Sequence, residues 1–551
     1  MTETHRRVCL ALCAWMLVAG VEAGGQTPVA PAAPPAAARE QAFAPTLPYE
    51  ERITRDRRVQ RMTSREAVEL ALRNNLDMAI ERYNEQLARQ RLNAARGYYD
   101  PSVSLTASRS SAASPLTGSS GGTAIPSDQI DVTAYSPGVK QNIPGGGSAS
   151  VSLLSTRTGT SSTVPTLNPV VSSSLGASLT QPLLRGFLVT AADRQIDLAR
   201  IDAELAASQY RQRLTGMVQQ VLAQYWELAY AISVYETRRQ SKDLAIVQYE
   251  GTKMRVQSGL LPPIALTAAR AEIASRERDI LQAEVQIIGA ENALKLLISQ
   301  DPASPVWERV VLPTDRPAPD SGAITFEEAL ALATTRRPEL EQLRLQMAQN
   351  AIDRTFYRRE TLPTVNLTAS LTSAGRSGTA LVKLGDARIA DPTNPSFGGF
   401  QRSWRQVFGF DFPAWALGLT VQVPLGNRAA RAQLEQVNLI RNRLDTQKTK
   451  TLQSVMVDVR YTVQVIATQR KSLEAATLTT QLFAEQLEGQ TARYAAGFSN
   501  DFELRRYQRD LVDARVKELR ALVDLQLAVI ALQRATDTLL DTYGVAAAKR
   551  P

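Results

Sequence analysis

The chain has 551 residues, with 63 Lys and Arg against 54 Asp and Glu and a formal net charge of +9. The two signs are interspersed along helical stretches instead of gathering in one basic patch, so a solvated mixed-charge surface is expected and a nucleic-acid partner is not. The only histidine, His5, and the only cysteines, Cys9 and Cys13, lie at the extreme N-terminus.

That N-terminus has the layout of a secretory signal: Arg6 and Arg7, the apolar run VCLALCAWMLVAGV, then a small-residue cleavage site at Val21-Glu22-Ala23. About 14 apolar residues are too few to span a bilayer as a helix. Leu12, not a small residue, precedes Cys13, which argues against lipidation there. Loss of residues 1–23 would leave no thiol and no imidazole, excluding Cys/His zinc sites and Ser-His-Asp or Cys-His catalysis. No catalytic, metal-binding or cofactor-binding residue is expected, and no enzyme. A Pro/Ala-rich linker occupies 24–62 and ends in the basic run Arg52–Arg61. Beyond it no apolar run approaches 18 residues, so only a closed barrel of strands could enter a membrane.

The rest reads as one unit written twice. Asp100–Ser108, DPSVSLTAS, returns 262 residues later as LPTVNLTAS over Leu362–Ser370. At the same offset Thr63–Ala71 aligns with Thr325–Ala333, each opening on a Thr with Glu three residues on, the capping-box pattern. A helix of about 35 residues is expected from each, ended by Pro101 or Pro363. SLGASLTQPL (Ser174–Leu183) matches ALGLTVQVPL (Ala416–Leu425), and RVQSGLLPPIAL (Arg255–Leu266) parallels RYAAGFSNDFEL (Arg493–Leu504). These matches define two repeats, 63–322 and 323–545, each helix, strand, polar loop, strand, long helix, Gly turn, helix; 546–551 is a tail.

The span Val189–Ser258 is 70 residues without proline, about 105 Å as a helix, and Arg428–Ala496 is nearly as long. Leu214, Met217, Val218, Val221 and Leu222 recur at helical spacing, as coiled-coil-like packing requires. A break at Gly216 or Gly251 into shorter helices is the alternative.

Four strands alternate cleanly. Val103, Leu105 and Ala107 oppose Ser102, Ser104 and Thr106; Leu175, Ala177 and Leu179 oppose Gly176, Ser178 and Thr180. Val365, Leu367, Ala369 and Leu371 oppose Asn366, Thr368 and Ser370; Leu417, Leu419, Val421 and Val423 oppose Gly418, Thr420 and Gln422. One apolar and one small-polar face fit a lipid-facing barrel, and equally a soluble sandwich with one wet face. Four strands leave open edges that identical chains could pair. Phe397, Phe400, Trp404, Phe408, Phe410, Phe412 and Trp415 gather beside the fourth strand, as an interfacial girdle or as the aromatic core of a folded-back loop. The Ser/Gly/Thr-rich loop Arg109–Val170 contains a possible hairpin turning at Pro144–Gly147; whether it adds strands to the sheet is open. Its G-x-S-x-G, Gly118–Gly122, lacks the strand-to-helix setting and the histidine of a nucleophile elbow.

TSREAVELALRNNLDMAI and ITFEEALALATTRRPEL at the repeat starts, SLTQPLLRG and VQVPLGNRAARA after the inner strands, QYWELAYA and the two Gly turns together resemble the TolC-like outer-membrane efflux family over about 63–543. The resemblance implies a mainly α fold with transmembrane β: a homotrimer whose four strands per chain form a 12-stranded outer-membrane barrel, continuous with a helical barrel across the periplasm. It implies a passive duct for efflux or type I secretion, partnered by a membrane-fusion adaptor, an inner-membrane transporter and outer-membrane lipid, with no cofactor. Gly259, Leu260, Gly497 and Phe498 would contact the adaptor at the periplasmic tip. Tyr494 and Glu503 would belong to the periplasmic gate; Arg506 and Ala265 replace acidic residues there, so the closed network must differ. Trp404, Phe408, Phe410, Phe412 and Trp415 would stand at the membrane interface. The alternative is a periplasmic coiled-coil scaffold or adaptor without a membrane barrel.

Overall fold

The computed structural model describes residues 48–51, 58–114, 128–161, 165–317, 324–384 and 387–545. The leader, most of the linker, the G-x-S-x-G stretch and the tail 546–551 lie outside the described residues. β1 (Val59–Met62) ends the linker, and the first repeat contains α1 (Ser64–Asn74), α2 (Leu76–Arg96), β2 (Ser102–Ser114), β3 (Asp128–Ile143), β4 (Gly147–Thr160), β5 (Leu167–Pro182), α3 (Ala191–Gln257), α4 (Ile264–Ile298) and β6 (Val310–Pro313). The second contains α5 (Phe326–Arg336), α6 (Pro338–Glu360), β7 (Thr364–Leu384), β8 (Ala387–Ala390), α7 (Phe400–Gly409), β9 (Pro413–Gln422), α8 (Arg428–Ala495), α9 (Asp501–Ala535) and a short α10 (Leu539–Thr542).

Both capping boxes form. The Glu66 amide donates to Thr63 Oγ1 at 3.2 Å while Glu66 Oε2 accepts from the Thr63 amide at 2.8 Å; Glu328 and Thr325 repeat the exchange at 3.3 and 3.1 Å. The single helix expected after each box is instead two. Asn75 (ψ 124°) and Arg337 (ψ 128°), again 262 residues apart, leave the helical region between α1 and α2 and between α5 and α6. Each break has its own cause. Arg337 precedes Pro338, whose ring disfavours a helical residue before it, whereas Asn75 caps α2 by accepting from the Met78 amide at 3.1 Å. By contrast α3 runs unbroken through Gly216 and Gly251, which settles the alternative of shorter helices. Its 67 residues correspond to about 100 Å, and the 68 of α8 to the same length.

The chain divides into two compact units. One holds Tyr49–Val234 and the residues from Ala283 onward; the other holds Tyr235–Gln282. In the first, Val218, Val221, Leu222 and Tyr225 of α3, and Ile287, Leu294 and Ile298 of α4, are wholly shielded from water. Each such aliphatic side chain contributes about 1.5–3 kcal/mol of transfer free energy. β1 and β6 pair in parallel, and the Tyr225 hydroxyl ties them to α3. It donates to the Met62 carbonyl and accepts from the Asp315 amide, both at 3.1 Å. Burial pushes its pKa up to about 12, so it stays a neutral donor at any physiological pH. A second cluster joins Ala329 and Ala333 of α5 to Val455 and Val459 of α8 and Leu532 of α9. The second unit packs Ala245 and Tyr249 against Ala269 and Ile273, and its buried Lys242 pairs with Glu277. Among the described residues no helix is long and apolar enough to cross a membrane, which leaves the sheet as the element to consider.

Candidate channel wall and helix-hairpin tips

All four strands expected from the sequence are present, as β2, β5, β7 and β9. The polar loop supplies two more. β3 and β4 form the hairpin around Pro144–Gly146 and insert between β2 and β5, giving an antiparallel order β2-β3-β4-β5-β7-β9. The per-chain count is therefore six long strands, not four, with the short β8 paired to the far end of β7. The possible hairpin, whose place the sequence leaves open, thus joins the sheet; its apolar positions are diluted by Ser, Thr and Gly, yet the period of two is there.

Cross-strand register decides which residues share a face, because directly paired residues lie on the same side. Val103 pairs with Val139, Leu105 with Pro137, Val139 with Val151, Ala149 with Leu179, and Val151 with Ala177. Ala177 pairs with Leu371, Leu367 with Leu419, and Val365 with Val421. One face of the curled sheet is thus a band of aliphatic side chains running across all six strands. Many stand exposed, Leu105 at 73% and Leu417 at 66%. The opposite face carries Ser102, Ser104, Ser150, Ser178, Thr368, Ser370 and Thr420. A continuous exposed aliphatic band is unstable in water and stable in hydrocarbon.

On the aliphatic face lies α7, a helix where the repeat pattern expects a loop. Small residues make room for it. Ser373 Oγ donates to the Val407 carbonyl at 2.7 Å and Ser403 Oγ to the Gly375 carbonyl at 3.1 Å. A Cβ on Gly375 would stand 2.2 Å from the Ser403 carbonyl oxygen. Trp404 Nε1 donates to Ser155 Oγ of β4 at 2.8 Å, and the Phe400 ring meets Tyr135 of β3 edge-on at 6.1 Å. Phe400 and Trp404 roof an apolar cavity of about 400 Å³ with Leu105, Tyr135, Pro137 and Leu153. The aromatic group accordingly splits. Phe400 and Trp404 contact the sheet, Trp404 remaining 41% exposed, while Phe408, Phe410, Phe412 and Trp415 are exposed on or beside the aliphatic face. Gly375→Val is expected to displace α7, since neither backbone can yield 1 Å; increased protease cleavage within 400–412, with the sheet retained by circular dichroism, is the measurement.

The two Gly turns have one geometry. Gly259 (φ +73°) and Gly497 (φ +81°) are in the left-handed region. The Leu260 amide donates to the Arg255 carbonyl at 2.9 Å and the Gly259 amide to Val256 at 3.0 Å. Phe498 and Gly497 make the same bonds to Arg493 and Tyr494 at 2.9 and 3.1 Å. These are Schellman closures, in which glycine avoids the Cβ penalty of positive φ. Each presents the next side chain outward: Leu260 is 74% and Phe498 79% exposed.

The three gate candidates lie at or near the α8–α9 turn. Glu503 Oε2 accepts from Gln490 Nε2 at 2.9 Å and from Ser499 Oγ at 3.2 Å, across the α8–α9 turn. Arg506 is paired along its own helix with Asp510 at 3.8 Å. Tyr494 is half-buried in the last turn of α8. Among the described residues no group of three His, Cys, Asp or Glu side chains is placed to hold a metal ion.

A curled antiparallel sheet with one aliphatic and one hydroxyl-rich face, built into one chain with helices of about 100 Å, defines an outer-membrane channel of the mixed barrel-and-helix class. The chain belongs to the outer membrane efflux protein family, whose profile matches residues 67–300 and 329–538. Solved structures agree in fold. A membrane protein from Pseudomonas aeruginosa is 18% identical at a TM-score of 0.60, with 88% of this chain and 91% of that one covered. The Campylobacter jejuni CmeC outer membrane channel is 16% identical at 0.59, covering 86% of each. The outer membrane protein VceC of Vibrio cholerae is 15% identical at 0.57, covering 86% and 95%. No curated protein matches the chain.

Proposed function

We propose that three copies of this chain close their sheets into one outer-membrane barrel and act as the passive exit duct of a tripartite efflux or type I secretion assembly. The observation that carries this reading is the two-faced sheet, whose exposed aliphatic band calls for lipid while its Ser/Thr face suits a water-filled path. Such a duct lowers the barrier for a solute without bond chemistry, and an energised inner-membrane transporter gives direction. The Schellman tips at Gly259-Leu260 and Gly497-Phe498 are the adaptor contacts, because each offers one exposed apolar side chain on a rigid turn. Glu503, Tyr494 and Arg506 lie within reach of the α8–α9 turn and form the gate region, with Glu503 held by Gln490 and Ser499. Phe408, Phe410, Phe412 and Trp415 anchor the barrel at the interface. The detergent-solubilised protein is expected to weigh three chains and to migrate heat-modifiably, and a strain lacking it is expected to become sensitive to an exported solute. A monomer in detergent would sink the duct.

A further inference from the structure

We propose that the β3–β4 hairpin is part of the membrane wall, so that each copy contributes six strands and three copies close an 18-stranded barrel. The seam is then β2 of one copy against β9 of the next. The count rests on the three-copy reading above; the place of the hairpin does not.

Four observations put the hairpin in the wall. First, β3 pairs with β2 along the whole of Ser102–Ser114, and β4 with β5 from Ser148–Thr180 to Thr158–Val170. A direct β2–β5 contact would forfeit both ladders. Second, the hairpin continues the faces of its neighbours: Tyr135, Pro137, Val139, Val151 and Leu153 fall on the aliphatic side, and Lys140, Ser148, Ser150 and Ser152 on the polar side. A plug inside the lumen has no use for an aliphatic face in register with the outer one. Third, its turn is fixed to the rest of the chain. The Gly145 carbonyl accepts from Gln181 Nε2 at 3.0 Å, and Asn142 Nδ2 donates to the Tyr98 carbonyl at 2.9 Å. Gly146, at φ +90°, sits where a Cβ would be 2.1 Å from the Gly186 oxygen. Fourth, α7 spans the strands on the aliphatic face, through Trp404 to Ser155 and Phe400 to Tyr135.

Strand direction sets the seam. Five successive antiparallel steps make β9 antiparallel to β2. Among the described residues the outer edges of these two strands pair with no strand. Unpaired edges cannot remain in hydrocarbon, and a neighbouring copy presents the complementary antiparallel edge with its aliphatic residues already on the outer side. With strands about 4.8 Å apart and tilted about 40°, 18 strands enclose a diameter of ~36 Å between backbones, against ~24 Å for 12. Strand numbers of 16–18 leave an aqueous lumen, and here its wall is mainly hydroxyls. The barrel is then a wide vestibule, and selection of cargo falls to the helical end.

Cysteine variants test this in outer-membrane preparations of the full chain, whose own cysteines, Cys9 and Cys13, precede the expected cleavage site. Val139→Cys and Val151→Cys are expected to react with a lipid-phase label, and Lys140→Cys and Ser150→Cys with a water-soluble maleimide. Water reactivity at all four overturns the place of the hairpin. Ser104→Cys paired with Thr420→Cys should give an oxidative ladder of linked copies ending at three. A link within one copy between Ser104→Cys and Ser178→Cys would place β2 beside β5 and overturn the six-strand wall while leaving the trimer intact. Alternating labelling with no inter-copy link would instead sink the three-copy reading, and the count of eighteen with it.

Discussion

Leu419→Arg is expected to destabilise the membrane barrel by about 2–4 kcal/mol, while Thr420→Arg, one residue away, is expected to be nearly silent. Leu419 pairs with Leu367 in the middle of the aliphatic band, and Thr420 pairs with Asn366 on the hydroxyl face. A guanidinium on the first must enter hydrocarbon or drag water with it; on the second it enters the aqueous lumen. The heat-stable oligomer fraction on a gel, and the amount of protein in the outer-membrane fraction, read the difference. Equal loss in both variants would mean that the two faces are not lipid and water, and would fit a sandwich with a second sheet packed on the aliphatic side.

At the turns, Leu260→Asp and Phe498→Asp are each expected to cost the adaptor contact about 2 kcal/mol, roughly a thirtyfold loss of affinity, with no change in the amount of folded oligomer. The reason for the contrast is local. Both side chains point away from their own helices, Leu260 at 74% and Phe498 at 79% exposure, so folding gains little from them. Gly259→Val and Gly497→Val act through the backbone instead. Nothing lies within 4 Å of a Cβ at either position, but φ of +73° and +81° costs a β-branched residue about 1–3 kcal/mol. The helix reversal is then remade and export blocked without loss of the oligomer. Co-purification of an adaptor and a solute-accumulation assay are the measurements. Normal export in all four variants would refute the docking role while leaving the channel untouched.

The duplication was legible because it is written in short-range chemistry. A Thr with a Glu three residues on must close a capping box, and an apolar/hydroxyl alternation must form a two-faced strand. The four strands and both capping boxes therefore lie where the sequence puts them. The Gly turns needed only the steric freedom of one residue. Their identical Schellman bonds confirm that the two repeats share a local code. Local cues misled in two places: the expected uninterrupted helices break at Asn75 and Arg337. The Pro338 signal was present in the sequence; at Asn75 the cue was an amide side chain able to cap the helix that begins at Leu76.

The residues themselves thus determined the repeat, the long helices, the hydroxyl and aliphatic faces and the reversal at each glycine, since all of these depend on neighbours within a few positions. Tertiary structure alone decided that the Ser/Gly-rich segment is sheet and not loop, because the side-chain alternation of its two strands is weak and what holds them is the ladders to β2 on one side and β5 on the other. It also decided that Phe400 and Trp404 meet side chains of β3 and β4 while Phe408 and Phe412 stand mostly exposed. Composition gives these aromatics the same meaning; only Tyr135 and Ser155 of other strands give the first two partners, while Ser373 and Gly375 make room for the helix that carries them.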